Sequence, residues 1–173
     1  MSKATDNNNP GNLEDPQDNW QGETGSDGVY VVFSSPMWGF RALYKDIYNK
    51  ITKDGNNTLL SIFEHYLSVG NPPDNHTEDD AIDYANEVAQ FLPGTGINDT
   101  LTADETTLKA IAHGIARQES GNDASIFTET DYNNGYLLFK SEQVATSPVG
   151  IGTILLIGGG IWYLVKKKRT TRP

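Results

Sequence analysis

Four groups of side chains in this chain have the types and spacing to do chemistry. The first is the polar run Asn7-Asn8-Asn9-Pro10-Gly11-Asn12-Leu13. Asn side chains bond backbone groups within turns and Gly permits positive φ, so this run specifies a tight loop rather than a linker. The second group is aromatic: Trp20, Trp38 and Tyr44 could stack on sugar rings if a groove exists. Helical spacing assigns Trp38 and Tyr44 to core packing, whereas Trp20 lies in a polar loop and suits a ligand face. The third is the acidic run Asp74, Glu78, Asp79, Asp80 and Asp83. Calcium is the one cofactor it suggests. The EF-hand spacing and its central Gly are absent, however, and acids at a helix start suit the macrodipole, so no metal site is expected. The fourth is the basic run Lys166, Lys167, Lys168, Arg169 and Arg172, which could meet anionic lipid headgroups or DNA phosphates. Sulfur chemistry is excluded because cysteine is absent, and His65, His76 and His113 lie far apart without an HExxH spacing.

The strongest positioning element is the C-terminal apolar stretch, residues 149–165 (VGIGTILLIGGGIWYLV), which carries no charge. As a helix it would span about 25 Å, the short end of a bilayer crossing. Val149, Ile151, Leu155, Leu156, Ile161 and Val165 would face lipid, with Trp162 and Tyr163 at the interface. The basic run follows at once and stops further passage. Of 13 basic residues five lie in the last eight positions, leaving 8 against 23 acidic residues in the rest, a net of −15. An acidic body thus stands on a basic foot. Such a body repels nucleic acid, and the positive-inside rule places the foot on the inner side.

Five segments follow: 1–28, an Asn/Gly-rich loop segment joining the body; 29–140, a mainly helical globular domain; 141–148, a linker; 149–165, a transmembrane helix; and 166–173, a basic tail. Val29 to Phe33 reads as one short strand. Ser35 and Pro36 read as N-cap and first residue of a helix whose stripe is Trp38, Leu43, Tyr44, Ile47, Tyr48 and Ile51. Thr58 should cap a second helix, with Leu59, Ile62, Phe63 and Tyr66 inward. A third starts near Thr77 and buries Ile82, Ala85, Val88, Ala89 and Leu92. A fourth should start from a capping box, Thr102 with Glu105, and run to about Glu119. Asn133-Asn134-Gly135 predicts a turn, making residues 126–140 a hairpin or a stalk. The fold class is α+β, mainly α, with a short strand or hairpin.

The order Asn7-Asn8-Asn9-Pro10-Gly11-Asn12, Trp20-Gln21-Gly22, Phe33, then Ser35-Pro36-x-x-Gly39-x-Arg41-Ala42 resembles a family of phage-associated domains. Gly55-x-Asn57-Thr58, Asn71-Pro72-Pro73 and Gln118-Glu119-Ser120-Gly121 continue the likeness to residue 121. Members include a minor structural membrane protein of corticovirus-type, internal-membrane icosahedral phages. Asp6 replaces the basic residue usual before the Asn run. The resemblance makes Asn7, Asn8, Asn9, Trp20 and Arg41 candidates for ligand binding. Separately, Gln118-Glu119-Ser120-Gly121, with Ala124 and Ser125 beyond, resembles the corresponding segment of lytic transglycosylases. That likeness implies Glu119 as a general acid in glycosidic cleavage and a small lysozyme-like helical domain, with the Asn loop and the Glu in permuted order.

The first functional expectation is a single-pass structural protein of a phage virion's internal membrane, linking membrane to capsid or supporting penetration of the host. Its partners would be the lipid bilayer, capsid or other virion membrane proteins, and genome DNA or anionic lipid at the tail. Its acidic body would face outward and its basic C-terminus inward, after residence in the host inner membrane during assembly. The second is a membrane-anchored peptidoglycan hydrolase. The third is a tail-anchored module that binds glycan or protein.

Overall fold

The computed structural model describes residues 1–14, 20–70, 75–146, 153–157 and 160–164, with side chains described as far as residue 145. Asp74, Val149, Ile151, Val165 and the basic tail lie outside the described residues. The architecture is mainly helical α+β. It runs α1 (Lys3–Asp6), β1 (Glu23–Ser26), β2 (Val31–Phe33), α2 (Pro36–Thr52), α3 (Leu59–Tyr66), α4 (Glu78–Ala89), α5 (Glu105–Ser120), a 3-10 helix (Gly121–Ile126), α6 (Glu129–Thr146), β3 (Thr153–Ile157) and β4 (Gly160–Leu164). β1 and β2 form a small antiparallel hairpin, with Ser26 opposite Val31 and Glu23 opposite Phe33. Its turn is organised by Asp27, whose carboxylate accepts the backbone N–H groups of Val29 and Tyr30 at 3.0 and 2.9 Å.

Local sequence accounts for most helix starts. Pro36 opens α2 after an extended Ser35, although the Ser35 side chain makes no capping bond. Thr58 and Thr77 cap α3 and α4, each in a reciprocal box, with Ser61 and Asp80 respectively. At α5 the expected Thr102–Glu105 box is not formed. Asp104 is the N-cap and accepts the Thr107 N–H at 2.9 Å, while the Thr102 hydroxyl donates to the Asp104 carboxylate. A carboxylate is a stronger acceptor than a hydroxyl at the positive end of a helix. These two contacts, Thr102 first, hold the Asp104 carboxyl below its ordinary range. In α4 the buried face is Ala81, Ala85 and Val88, one position away from the Ile82 expected to lead it.

The largest departure from expectation is α6. Asn133-Asn134-Gly135 does not turn the chain but lies inside an 18-residue helix, which also absorbs most of the expected linker. The glycine serves packing: a Cβ on Gly135 would stand 2.5 Å from Cβ of Phe40 and 3.0 Å from the Met37 carbonyl oxygen. The missing side chain lets α6 lie directly on α2. Phe40 meets the ring of Tyr132 at 4.1 Å and that of Phe127 at 5.3 Å, and Tyr44 meets Tyr136 edge-on at 5.4 Å. Arg41, 2 % exposed, closes the same interface through two 2.5 Å bonds to the Glu142 carboxylate. The fully buried Phe40, Leu43, Tyr44, Ile47, Ile62, Phe63, Ile111 and Ile115 form one core across α2, α3 and α5.

At the C-terminal end the structure describes two antiparallel strands, β3 and β4, with Thr153 opposite Leu164 and Ile157 opposite Gly160. The expected transmembrane helix over 149–165 is therefore not confirmed. Among the described residues no helix is long and apolar enough to cross a membrane. Strand formation here is consistent with the β-branched and aromatic content of the segment and with its central glycines, which weaken a helix interior.

Candidate functional site

The Asn loop is built before it is used. Asn9 anchors it: its Oδ1 accepts the Leu13 N–H at 2.9 Å, and its Nδ2 donates to the carbonyls of Leu13 and Val31, both at 2.9 Å. Asn8 adopts φ 51° and donates to the Phe33 carbonyl at 2.9 Å. Asn7 donates to Asp27 at 2.9 Å, and its carbonyl accepts the Phe33 N–H at 2.9 Å. The loop is thereby fastened along β2. Helix α2 supports it from beneath, since Gly39 has no side chain and a Cβ there would lie 2.0 Å from the Asn8 carbonyl oxygen. Three Asn side chains thus do the work of a missing strand.

This scaffold delivers Asn12 to the last turn of α5. The Asn12 Nδ2 donates to Oε2 of Glu119 at 2.7 Å, and the Tyr84 hydroxyl, from α4, donates to Oε1 at 2.6 Å. Tyr66, from α3, donates to the Gly11 carbonyl. Phe63 stacks on Tyr84 at 4.4 Å, and Tyr66 lies 5.9 Å from the Tyr84 ring. Glu119 itself is half-buried. Burial pushes its carboxyl above the ordinary range, while the bonds from Tyr84 and Asn12 and the proximity of His76 pull the other way. Tyr66 and Tyr84 are raised well above the ordinary tyrosine value, chiefly by burial, so both remain neutral donors. A carboxyl that can keep its proton against an aromatic wall is equipped to protonate a leaving oxygen. Perturbed groups of this kind concentrate at functional sites.

The structure brings Glu119 and the Asn loop together, but through Asn12 and not through the three residues first singled out. Asn7, Asn8 and Asn9 have their side chains engaged in holding the loop. Arg41 is turned into the α2–α6 interface and paired with Glu142. Trp20 is half-buried beneath Lys45, whose Nζ lies 5.7 Å from the ring centroid, and its buried indole N–H has no hydrogen-bond partner among the described residues. Tyr44 is in the core. Sequence reasoning did not place Tyr66 and Tyr84 at the site. Their one signal is that, together with Phe63, they make three aromatic residues on two consecutive helices. Among the described residues no group of three or more His, Asp or Glu side chains could hold a metal ion. The described part of the acidic run lies at the start of α4, where Asp80 bonds the Thr77 backbone N–H at 2.7 Å.

Comparison with models of known protein families finds no match, and comparison with curated proteins finds none either.

Proposed function

We propose that the folded body is a glycan-directed domain that cleaves glycosidic bonds of peptidoglycan, with Glu119 as the general acid. The observation that carries this reading is the place of Glu119: at the end of α5, half-buried, between Asn12 and Tyr84, with its carboxyl raised by burial. The acid donates its proton to the departing glycosidic oxygen as the C–O bond breaks, a hydroxyl of the same sugar bonds to the anomeric carbon, and the proton that hydroxyl sheds returns to the Glu119 carboxylate, so no alkoxide is expelled and the acid is restored. Burial disfavours its charged form, and the Tyr84 that reaches it is packed against the rings of Phe63 and Tyr66. The finer fold reading is a lysozyme-like domain with the Asn loop preceding the Glu. The domain works at a membrane, in the reading that the apolar residues 149–165 associate with a phage virion's internal bilayer and the basic tail with genome DNA or anionic lipid. Capsid or other virion membrane proteins would meet the acidic body.

A second reading, a structural virion protein without catalysis, draws support from one observation. The motif residues Asn7, Asn8, Asn9 and Arg41 have their polar groups engaged inside the fold. The contact of Asn12 with Glu119 favours the enzymatic reading over it. Release of reducing or anhydro ends from purified peptidoglycan separates the two. Glu119→Gln should lower the rate at least about 100-fold. No cleavage by either protein would leave only the structural reading, and equal cleavage by both would remove Glu119 as the acid.

A further inference from the structure

A general acid must be held in one place before and after it gives up its proton. The bonds at Glu119 suit the charged form, because both oxygens accept: Oε1 from the Tyr84 hydroxyl at 2.6 Å and Oε2 from Asn12 Nδ2 at 2.7 Å. A protonated carboxyl carries one O–H that needs an acceptor instead. That acceptor is on the same residue. Asn12 Oδ1 is buried and has no hydrogen-bond partner among the described residues. A half-turn of the terminal amide exchanges Nδ2 for Oδ1 in front of Glu119. The backbone can stay still while this happens, since the Asn12 N–H is bonded to the Asn9 carbonyl at 2.9 Å in the left-handed conformation, φ 42°.

The other groups that face Glu119 do not offer this exchange. Tyr84 from α4 donates in either state while Oε1 accepts. Tyr66 from α3 has its hydroxyl on the Gly11 carbonyl. His76, ahead of α4, acts only through its charge, and Arg117 on α5 is exposed and bonded to the Gly121 carbonyl at 2.8 Å. We propose that Asn12 is a positioning residue that holds Glu119 in both protonation states, as a donor to the carboxylate and, after a half-turn of its amide, as the acceptor of the acid's proton. Its catalytic meaning rests on the reading of Glu119 given above; its structural content does not.

The test is a titration of the full chain by NMR, following the Glu119 carboxyl carbon and the Asn12 side-chain amide. The two signals should move with one midpoint. Asn12→Asp keeps the shape and tolerates the positive φ, but sets a second carboxyl beside the first. The pair should then take up a shared proton at a midpoint at least about one pH unit higher, a tenfold gain in proton affinity. Asn12→Gly keeps the backbone conformation and removes the amide. Because that amide serves both states, the midpoint should move much less than in Asn12→Asp. An Asn12 amide that ignores the Glu119 titration would overturn the inference. So would an Asn12→Gly midpoint raised as far as that of Asn12→Asp, which is the mark of a fixed donor. Peptidoglycan cleavage is scored separately. If wild type cleaves nothing while the titrations behave as described, the glycosidase reading falls and this inference stands. If cleavage depends on Glu119 but Asn12 stays fixed, the reverse holds.

Discussion

Glu119 and Glu142 are both partly buried carboxylates near helix ends, yet they meet opposite kinds of partner. Glu142 faces the Arg41 guanidinium across α2 and α6 through two 2.5 Å bonds. Glu119 faces two neutral donors, Asn12 and Tyr84. An ion pair between two formal charges fixes two helices in register. Neutral donors in an apolar surround leave a carboxyl free to change its protonation state. The first arrangement is a structural lock, and the second is where we propose the chemistry. The motif resemblance alone did not distinguish them, since it made Arg41 a ligand candidate beside the Asn loop.

The comparison is broken most severely by Arg41→Ala. It leaves Glu142 facing α2 without its cation and should cost about 3 kcal/mol of unfolding free energy in urea. The midpoint of the Glu119 titration should not follow. A shift in that midpoint as large as the stability loss would mean the two regions are one. Gly39→Ala tests the other side. Its new Cβ would meet the Asn8 carbonyl oxygen at 2.0 Å, so the loop must move away from α2. We expect a loss of about 2 kcal/mol, together with weakening of the Asn12 contact to Glu119. Unchanged Asn12 signals would show that the loop does not depend on α2. Asp104→Ala touches neither region. It removes only the α5 cap and should cost about 1 kcal/mol.

The smallest effect sharpens the contrast through pH. The Glu119 carboxyl is raised in the folded chain, so the folded state binds its proton more tightly than the unfolded state does. That contribution is fully present below the ordinary glutamate value of about 4.3 and is lost as pH rises through the higher folded value. Glu119→Gln removes the titration. The stability of the variant relative to wild type should therefore rise with pH across that window, read from urea midpoints on either side. A flat or falling difference would show that the hydrogen bonds from Tyr84 and Asn12 outweigh burial.

Much of the fold was legible. Ser35 and Pro36, Thr58 and Thr77 marked three helix starts, and Leu43, Tyr44, Ile47, Ile62 and Phe63 were read as inward-facing. Segment 1–28 has the composition of a loop, yet it holds the short α1 and β1. Asn133-Asn134-Gly135 misled for a clear reason. Turn propensity and close helix packing both select glycine, and only the neighbour decides between them. Within the candidate site, Glu119 and the Asn loop were legible as separate motifs, and their meeting was not.

The sequence by itself determined the Thr58 and Thr77 caps, most of the inward stripes of α2 and α3, and the contrast of an acidic body with a basic foot, because each depends on residues a few positions apart or on counting charge. Tertiary structure decided which motif residues hold the fold and which reach the site. Asn12 and Glu119 stand 107 residues apart in sequence, and nothing local to either encodes the other. Their contact exists because Asn9 fixes the loop to β2, Gly39 lets that loop rest on α2, and α4 and α5 pack so that Tyr84 meets the opposite oxygen.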